Sequence, residues 1–232
     1  MLTIALPKGR LQKKVLERFA IAGVIPEEEP GSSRRLIVPA LPHPAIPGGA
    51  RFVLLKDGDV PLYVERGTAD LGVCGLDQLL ESGADLLSPI DLGFGRCRLC
   101  LAAPRHASPE GAAPHDAFAA LADGAPPGRS LRIASKYPRL AARAFARRGM
   151  PVDLVRLSGS VELAAVAGLA DAIVDLVETG RTLEENGLAV IADLLHVSAR
   201  LVVNRASYRL KLEELLPLLA KLAPPAPPQV QP

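Results

Sequence analysis

Short apolar runs of strand length alternate with amphipathic stretches along most of this chain, and that rhythm limits its fold more than any other feature. Strands alternating with helices are joined by crossovers, and crossovers make mostly parallel sheets. Leu2 to Leu6 is the first strand. Pro7-Lys8-Gly9-Arg10 turns it into a helix where Leu11, Val15, Leu16 and Phe19 recur at helical spacing, and Gly23 ends it. A Pro-, Gly- and Ser-rich stretch follows around a strand at Leu36 to Val38, and then a strand at Phe52 to Leu55. Asp59 is the expected N-cap of a helix carrying Pro61 in its first turn. Asp70 to Cys74 and Arg96 to Ala103 read as strands, and Leu76 to Ser82 as a helix. Residues 104–130 hold a short Ala-rich helix between Pro/Gly breaks.

A second series begins at Leu131 to Ala134, continues through a helix at Pro138 to Arg148, and closes with strands at Val152 to Leu157 and Ala172 to Val177 around a helix at Val161 to Ala167. No internal sequence repeat stands out. Two series imply two α/β lobes with a cleft between them. The expected division is lobe I from 1–92 plus 178–210, lobe II from 93–177, and a C-terminal part, 211–232. That last part holds a Leu-rich helix interrupted by Pro217 and a Pro-rich tail expected to be disordered. The helix could serve a partner interface or cover its own lobe.

At 232 residues the chain can bury a large core without disulfides or metal. A net charge of only +2 argues against a non-specific nucleic-acid binder. The first turns carry Lys8, Arg10, Lys13, Lys14 and Arg18, which leaves no room for a secretory signal, and no apolar run is long enough to span a membrane. The three cysteines cannot all pair, which fits a cytoplasmic setting. Cys97 and Cys100 form a C-x-x-C, but on a strand that spacing sends them to opposite faces, and no second pair at zinc spacing exists. They read as core cysteines.

The chemistry concentrates in Asp171 to Leu183. An apolar strand ends at Val177, a small polar loop follows, and a helix begins, with Thr182 as N-cap and Glu185 completing a capping box. Such a loop offers backbone N–H groups and the Thr179 and Thr182 hydroxyls to an anion, and Gly180 lets a phosphate approach. Asp175 and Glu178 would repel phosphate but accept hydrogen bonds from sugar hydroxyls or hold Mg²⁺. A ligand with phosphate and ribose together resolves the conflict; a capped surface turn is the plain alternative. Lys8-Gly9-Arg10 is a second anion candidate. There is no Walker A loop, and Gly93-Phe94-Gly95 lacks the third glycine of a dinucleotide fingerprint.

Seven blocks in order carry a family resemblance from Ile4 to about Tyr208: Ala5-Leu6-Pro7-Lys8-Gly9-Arg10-Leu11, Asp59-Val60-Pro61 with Tyr63-Val64-Glu65, Asp70-Leu71-Gly72-Val73-Cys74-Gly75, Leu92-Gly93-Phe94-Gly95-Arg96-Cys97-Arg98-Leu99, Ser135-Lys136-Tyr137-Pro138, Gly159-Ser160-Val161-Glu162-Leu163, and Asp171 to Leu188. The chain thereby resembles the ATP phosphoribosyltransferases, in particular the short-form catalytic subunit. The resemblance implies a two-lobed periplasmic-binding-protein-like α/β fold. It implies transfer of the 5-phosphoribosyl group from phosphoribosyl pyrophosphate to N1 of ATP, the first step of histidine biosynthesis. By this likeness Asp175, Glu178, Thr179, Gly180, Arg181 and Thr182 hold the phosphoribosyl group, and Lys8, Gly9 and Arg10 face ATP. Arg34 and Lys56 serve the departing pyrophosphate, and Mg²⁺ travels with the substrate near Asp175 rather than on a dedicated protein ligand set. Lys56 stands where arginine is usual, and Ser135 where threonine is. Absence of a C-terminal regulatory domain implies a histidyl-tRNA-synthetase-like regulatory subunit as partner, around a homodimer of this chain. A solute-binding protein on the same shell and a different phosphoribosyltransferase are the competing readings.

Overall fold

Residues 1–44, 46–105, 114–124 and 128–224 are described by a computed structural model. The first stretch runs β1 (Leu2–Pro7), α1 (Gln12–Ile21), β2 (Ile37–Pro39), β3 (Ala50–Leu55), a 3₁₀ turn at Asp57–Asp59, α2 (Val60–Glu65), β4 (Leu71–Gly75), α3 (Leu76–Ser82) and β5 (Leu87–Asp91). It continues with β6 (Cys97–Pro104), α4 (Pro114–Asp123), β7 (Leu131–Ser135), α5 (Pro138–Ala146), β8 (Val152–Arg156), α6 (Val161–Val166), β9 (Ala172–Val177), α7 (Arg181–Glu185) and β10 (Leu188–Val197). The return is β11 (Ala199–Val203), α8 (Arg205–Leu210) and α9 (Leu212–Leu222).

These elements form two units, one from residues 1–95 with the chain from Ser198 onward, the other Arg96–Val197. The first holds a six-stranded sheet in the order β2-β3-β1-β4-β11-β5, the second a five-stranded sheet in the order β10-β6-β9-β7-β8. In the first, β1 runs parallel to β3 and β4, and β11 is antiparallel to β4. In the second, β7 runs parallel to β8 and β9, and β6 is antiparallel to β9. All six residues of β1 are buried and all but Thr3 are apolar, as befits a central strand covered on both faces; the Thr3 hydroxyl accepts from Arg51 Nε at 3.1 Å. Phe19 on α1 meets Phe52 on β3 edge to face at 5.7 Å, and Phe118 meets Phe145 at 5.0 Å in the second unit.

The two units also share a junction that was invisible as a repeat in the sequence. Gly67-Thr68-Ala69-Asp70 leads from α2 into β4, and Gly168-Leu169-Ala170-Asp171 leads from α6 into β9. Gly67 and Gly168 have φ of 71° and 73°, the left-handed turn that ends each helix. The Asp70 amide donates to the Thr3 carbonyl at 2.8 Å, and its Oδ2 accepts from the Thr3 amide at 2.8 Å. Asp171 does the same with Arg132, both bonds at 2.8 Å. Three matched residues in four are too few to detect without the strands to align them.

Several expected boundaries move. Residues 178–197, expected in lobe I, belong to the second unit, because β10 pairs antiparallel with β6 over most of its length. The chain therefore returns to the first unit only at Ser198. The C-terminal helix is not a separate part: α9 buries Leu215, Leu218, Leu219 and Leu222 in the core of the first unit. Pro217 does not interrupt it, since it lies inside the helix on the exposed side. Asp59 is the N-cap of α2 but its side chain makes no cap hydrogen bond. The tail expected to be disordered falls outside the described residues from 225 on. Cys74, Cys97 and Cys100 are buried free thiols, and burial, with Asp193 beside it, pushes Cys100 up to about 12, so it is unreactive. No helix among the described residues is long and apolar enough to cross a membrane.

Candidate active site

Parallel strands deliver their C-terminal ends to one edge of a sheet, where open α/β folds hold ligands. In the second unit that edge receives β7, β8 and β9. β9 carries Asp175 outward, and residues 178–180 bend into the short α7. Gly180 is the N-cap, at φ 84°, a conformation that a side chain with a Cβ adopts only with strain. This corrects the expected capping box. The glycine starts the helix two residues earlier than expected, so Thr182 is the second helical residue, and Glu185 accepts from Arg181 Nε at 2.8 Å instead of closing a box. The Arg181 amide reaches Thr179 Oγ1 at 3.4 Å, while the amides of Thr179, Gly180, Thr182 and Leu183 donate to no acceptor among the described residues. A five-residue helix adds little dipole, so any anion affinity rests on these amides and on the exposed hydroxyls of Thr179 and Thr182.

Asp175 is half-buried, and its Oδ1 accepts from the Leu176 amide at 2.8 Å. Burial pushes its carboxyl up, the Leu176 amide draws it down, Glu162 pushes it further up and Lys136 draws it back; the balance leaves it above the ordinary carboxylate range. Glu178 is exposed at the start of the loop. The Ser135 hydroxyl donates to the Val174 carbonyl at 2.6 Å and accepts from the Tyr137 amide at 2.8 Å, fixing the turn after β7. Ser160, which caps α6, has φ 48° and is the non-glycine residue with positive φ among the described residues.

The equivalent edge of the first unit is cationic. The Lys8 amide donates to the Leu55 carbonyl at 2.8 Å, which sets Lys8 and Lys56 side by side where β1 and β3 end. Gly9 takes φ 92° and Arg10 follows it, and all four residues are exposed. Arg34 precedes β2, whose antiparallel register with β3, extended by the Leu54 amide on the Leu36 carbonyl, runs toward the same end as Lys56. Behind this edge Asp77 is 1% exposed, and its carboxylate folds back over Gly75, where a Cβ would collide with it.

Residues 56–223 match the family model HisG: ATP phosphoribosyltransferase. The chain belongs to the ATP phosphoribosyltransferase family. A relative of that name from Chromobacterium violaceum is 44% identical over 227 residues, covering 97% of this chain and 99% of its own. Another from Moorella thermoacetica is 43% identical, covering 96% and 92%. The solved ATP phosphoribosyl transferase (HisG:HisZ) complex from Thermotoga maritima superposes with a TM-score of 0.76 at 36% identity, covering 96% of each chain. The alkanesulfonate-binding protein SsuA from Xanthomonas axonopodis pv. citri, at 15% identity and a TM-score of 0.53, covers 95% of this chain and 71% of its own and shares the fold alone. The fold is therefore the periplasmic-binding-protein-like α/β architecture expected from the sequence.

ATP phosphoribosyltransferases catalyse the first step of histidine biosynthesis, and this chain is a transferase of that kind. Within it, the residues expected to bind the phosphoribosyl group lie together on one strand end and loop, and Lys8, Gly9, Arg10 and Lys56 lie together on one sheet edge. Sequence reasoning passed over Lys136 and Glu162. Both sat inside family blocks, but their nearness to Asp175 follows from the β7–β9 register and the packing of α6, which no spacing in the chain encodes.

Proposed function

We propose that this chain is the catalytic subunit of a short-form ATP phosphoribosyltransferase, with the phosphoribosyl donor held by the 178–182 loop. One observation carries the reading: four amides, those of Thr179, Gly180, Thr182 and Leu183, have no acceptor among the described residues, beside a half-buried Asp175. An ester phosphate fits the amides and the two threonine hydroxyls, while Asp175 accepts from ribose hydroxyls. Glu178 and Arg181 border the same loop. Lys8, Gly9 and Arg10 receive ATP, and Arg34 and Lys56 the pyrophosphate.

In the reaction the adenine N1 lone pair forms a bond to the anomeric carbon as the bond to the pyrophosphate oxygen breaks. Positive charge spreads over the sugar and negative charge gathers on the leaving group. Fixed cations stabilise that separated state more than the reactants. N1 needs no deprotonation, so orientation of the two substrates supplies much of the rate. Mg²⁺ fits as a companion of the substrate: it keeps several waters and takes phosphate oxygens with one or two carboxylates, of which Asp175 is the candidate here. When bound it would neutralise charge on the leaving pyrophosphate.

The Thermotoga maritima HisG:HisZ complex supports a HisZ-like regulatory partner, read here as the histidyl-tRNA-synthetase-like subunit, in a hetero-oligomer with this chain. Three free buried thiols support work in the reducing cytoplasm. The test is pyrophosphate release with the partner subunit present. Release that requires both ATP and phosphoribosyl pyrophosphate is expected; silence, or transfer to a free purine or pyrimidine base, would overturn the reading.

A further inference from the structure

An anion beside Asp175 needs positive charge to offset the acids around it. Near the loop those acids are Asp175, Glu162 and Glu178, and Arg156, which ends β8 opposite Ser135, lies across β7 from β9. Arg181 offers little in return, because Glu185 holds its guanidinium at 2.8 Å. The cation whose charge reaches Asp175 is Lys136. It follows Ser135, which pairs with Val174 across β7 and β9, so continuing the register sets Lys136 beside Asp175. The turn that carries it is pinned from beneath by the buried Ser135 hydroxyl, through its bonds to the Val174 carbonyl and the Tyr137 amide. Its own side chain is exposed, with Nζ 5.9 Å from the centre of the Tyr137 ring. The central strand of the first unit likewise runs out into a lysine, Lys8.

We propose that Lys136 contacts the ribose 5-phosphate end of the donor, supplying the positive charge that lets a phosphate ester bind beside Asp175, Glu162 and Glu178. This rests on the placement of the donor at the 178–182 loop. The ammonium makes a charge-assisted hydrogen bond to the ester, and offsets the charge of these three carboxylates.

The experiment measures ribose 5-phosphate binding by calorimetry to the full chain and to three variants, with urea midpoints as a fold control. Lys136→Met keeps the side-chain length and removes the charge; a rise in Kd of roughly ten- to a hundred-fold is expected, with an unchanged midpoint. Lys136→Arg should recover most of the affinity. In turnover, Lys136→Met should raise KM for phosphoribosyl pyrophosphate and leave KM for ATP as it was. Parental affinity in Lys136→Met while Thr182→Ala is weakened would overturn the role of Lys136 alone. Parental affinity in both would overturn the loop placement and Lys136 with it. An arginine variant as weak as the methionine variant, or losses that follow a lowered midpoint, would make Lys136 structural and overturn the proposal.

Discussion

The two units are built on one plan and finished differently. Each has three parallel strands, β3-β1-β4 or β8-β7-β9, an antiparallel neighbour, and a Gly-x-Ala-Asp junction that ties the third strand to the first. At the N-terminal ends of those strands the difference is one of burial. Asp70 accepts from Ser207 Oγ at 2.6 Å and from Lys211 Nζ at 2.8 and 2.9 Å, with its side chain 8% exposed. Asp171 accepts from Arg129 at 2.6 and 2.7 Å with 19% exposure. At the C-terminal ends the groups differ: Lys8, Arg10 and Lys56 in the first unit, and acids and open amides together with Lys136 and Arg156 in the second. The shared end carries stability and the divergent end is the one proposed to carry ligands, because only the junction must satisfy the same backbone groups in both.

The largest expected effect breaks that shared end. Asp70→Ala leaves the Thr3 amide and the Ser207 hydroxyl without their acceptor and Lys211 without its carboxylate partner, and should cost about 3–5 kcal/mol in urea unfolding, whereas the more exposed Asp171→Ala should cost about 1–2 kcal/mol. Equal losses would contradict the burial difference. The pH dependence has a definite sign. Burial pushes Asp70 up, but the Lys211 and Ser207 hydrogen bonds and the Thr3 amide outweigh it, so its folded pKa lies below the ordinary value. Its contribution is complete above about pH 4 and disappears as pH falls through the lower folded value. Arg129 holds Asp171 low in the same sense. Asp175, raised mainly by burial, works the opposite way: its contribution is present below about pH 4 and is lost as pH rises through its folded value. Asp175→Asn should therefore remove a penalty near neutral pH while Asp70→Asn adds one, which urea midpoints at pH 7 and pH 3 would separate.

The divergent ends are tested by kinetics. Gly180→Val forces a β-branched residue to positive φ, and KM for phosphoribosyl pyrophosphate should rise roughly a hundred-fold with KM for ATP nearly unchanged. Thr182→Ala removes one hydroxyl and should raise the same KM about ten-fold. Equal effects on both substrates would mean that the loop is structural. The smallest effect belongs to the cationic edge: Lys56→Arg gives the leaving group a two-pronged donor and should leave kcat unchanged or raise it by about two- to three-fold. A fall in kcat would show that the arginine fork does not fit beside Lys8.

Much of this was legible in the chain. The apolar runs at Leu2 to Leu6, Asp70 to Cys74 and Ala172 to Val177 became central strands, since a strand covered on both faces is mostly apolar, with Thr3, Asp70 and Asp175 the polar exceptions. The β9-to-α7 loop was legible because a glycine between two threonines after a strand has few local alternatives. β5, β10 and β11 were not read as strands. All three pair antiparallel; β5 and β10 are edge strands with mixed patterns, and β10 is broken by irregularities at Val190 and Asp193, so no clean alternation marks it.

The sequence by itself determined the α/β class, the two series of strands and the run from Asp171 to Leu183, because these depend on local periodicity and turn chemistry. Only the tertiary structure decided that residues 178–197 stay with the second sheet, that Gly180 rather than Thr182 opens α7, and that Lys136 stands beside Asp175. Each depends on which strand lies next to which. Pairing is chosen by burial and backbone hydrogen bonds between residues far apart in the chain, and those leave no fixed spacing behind.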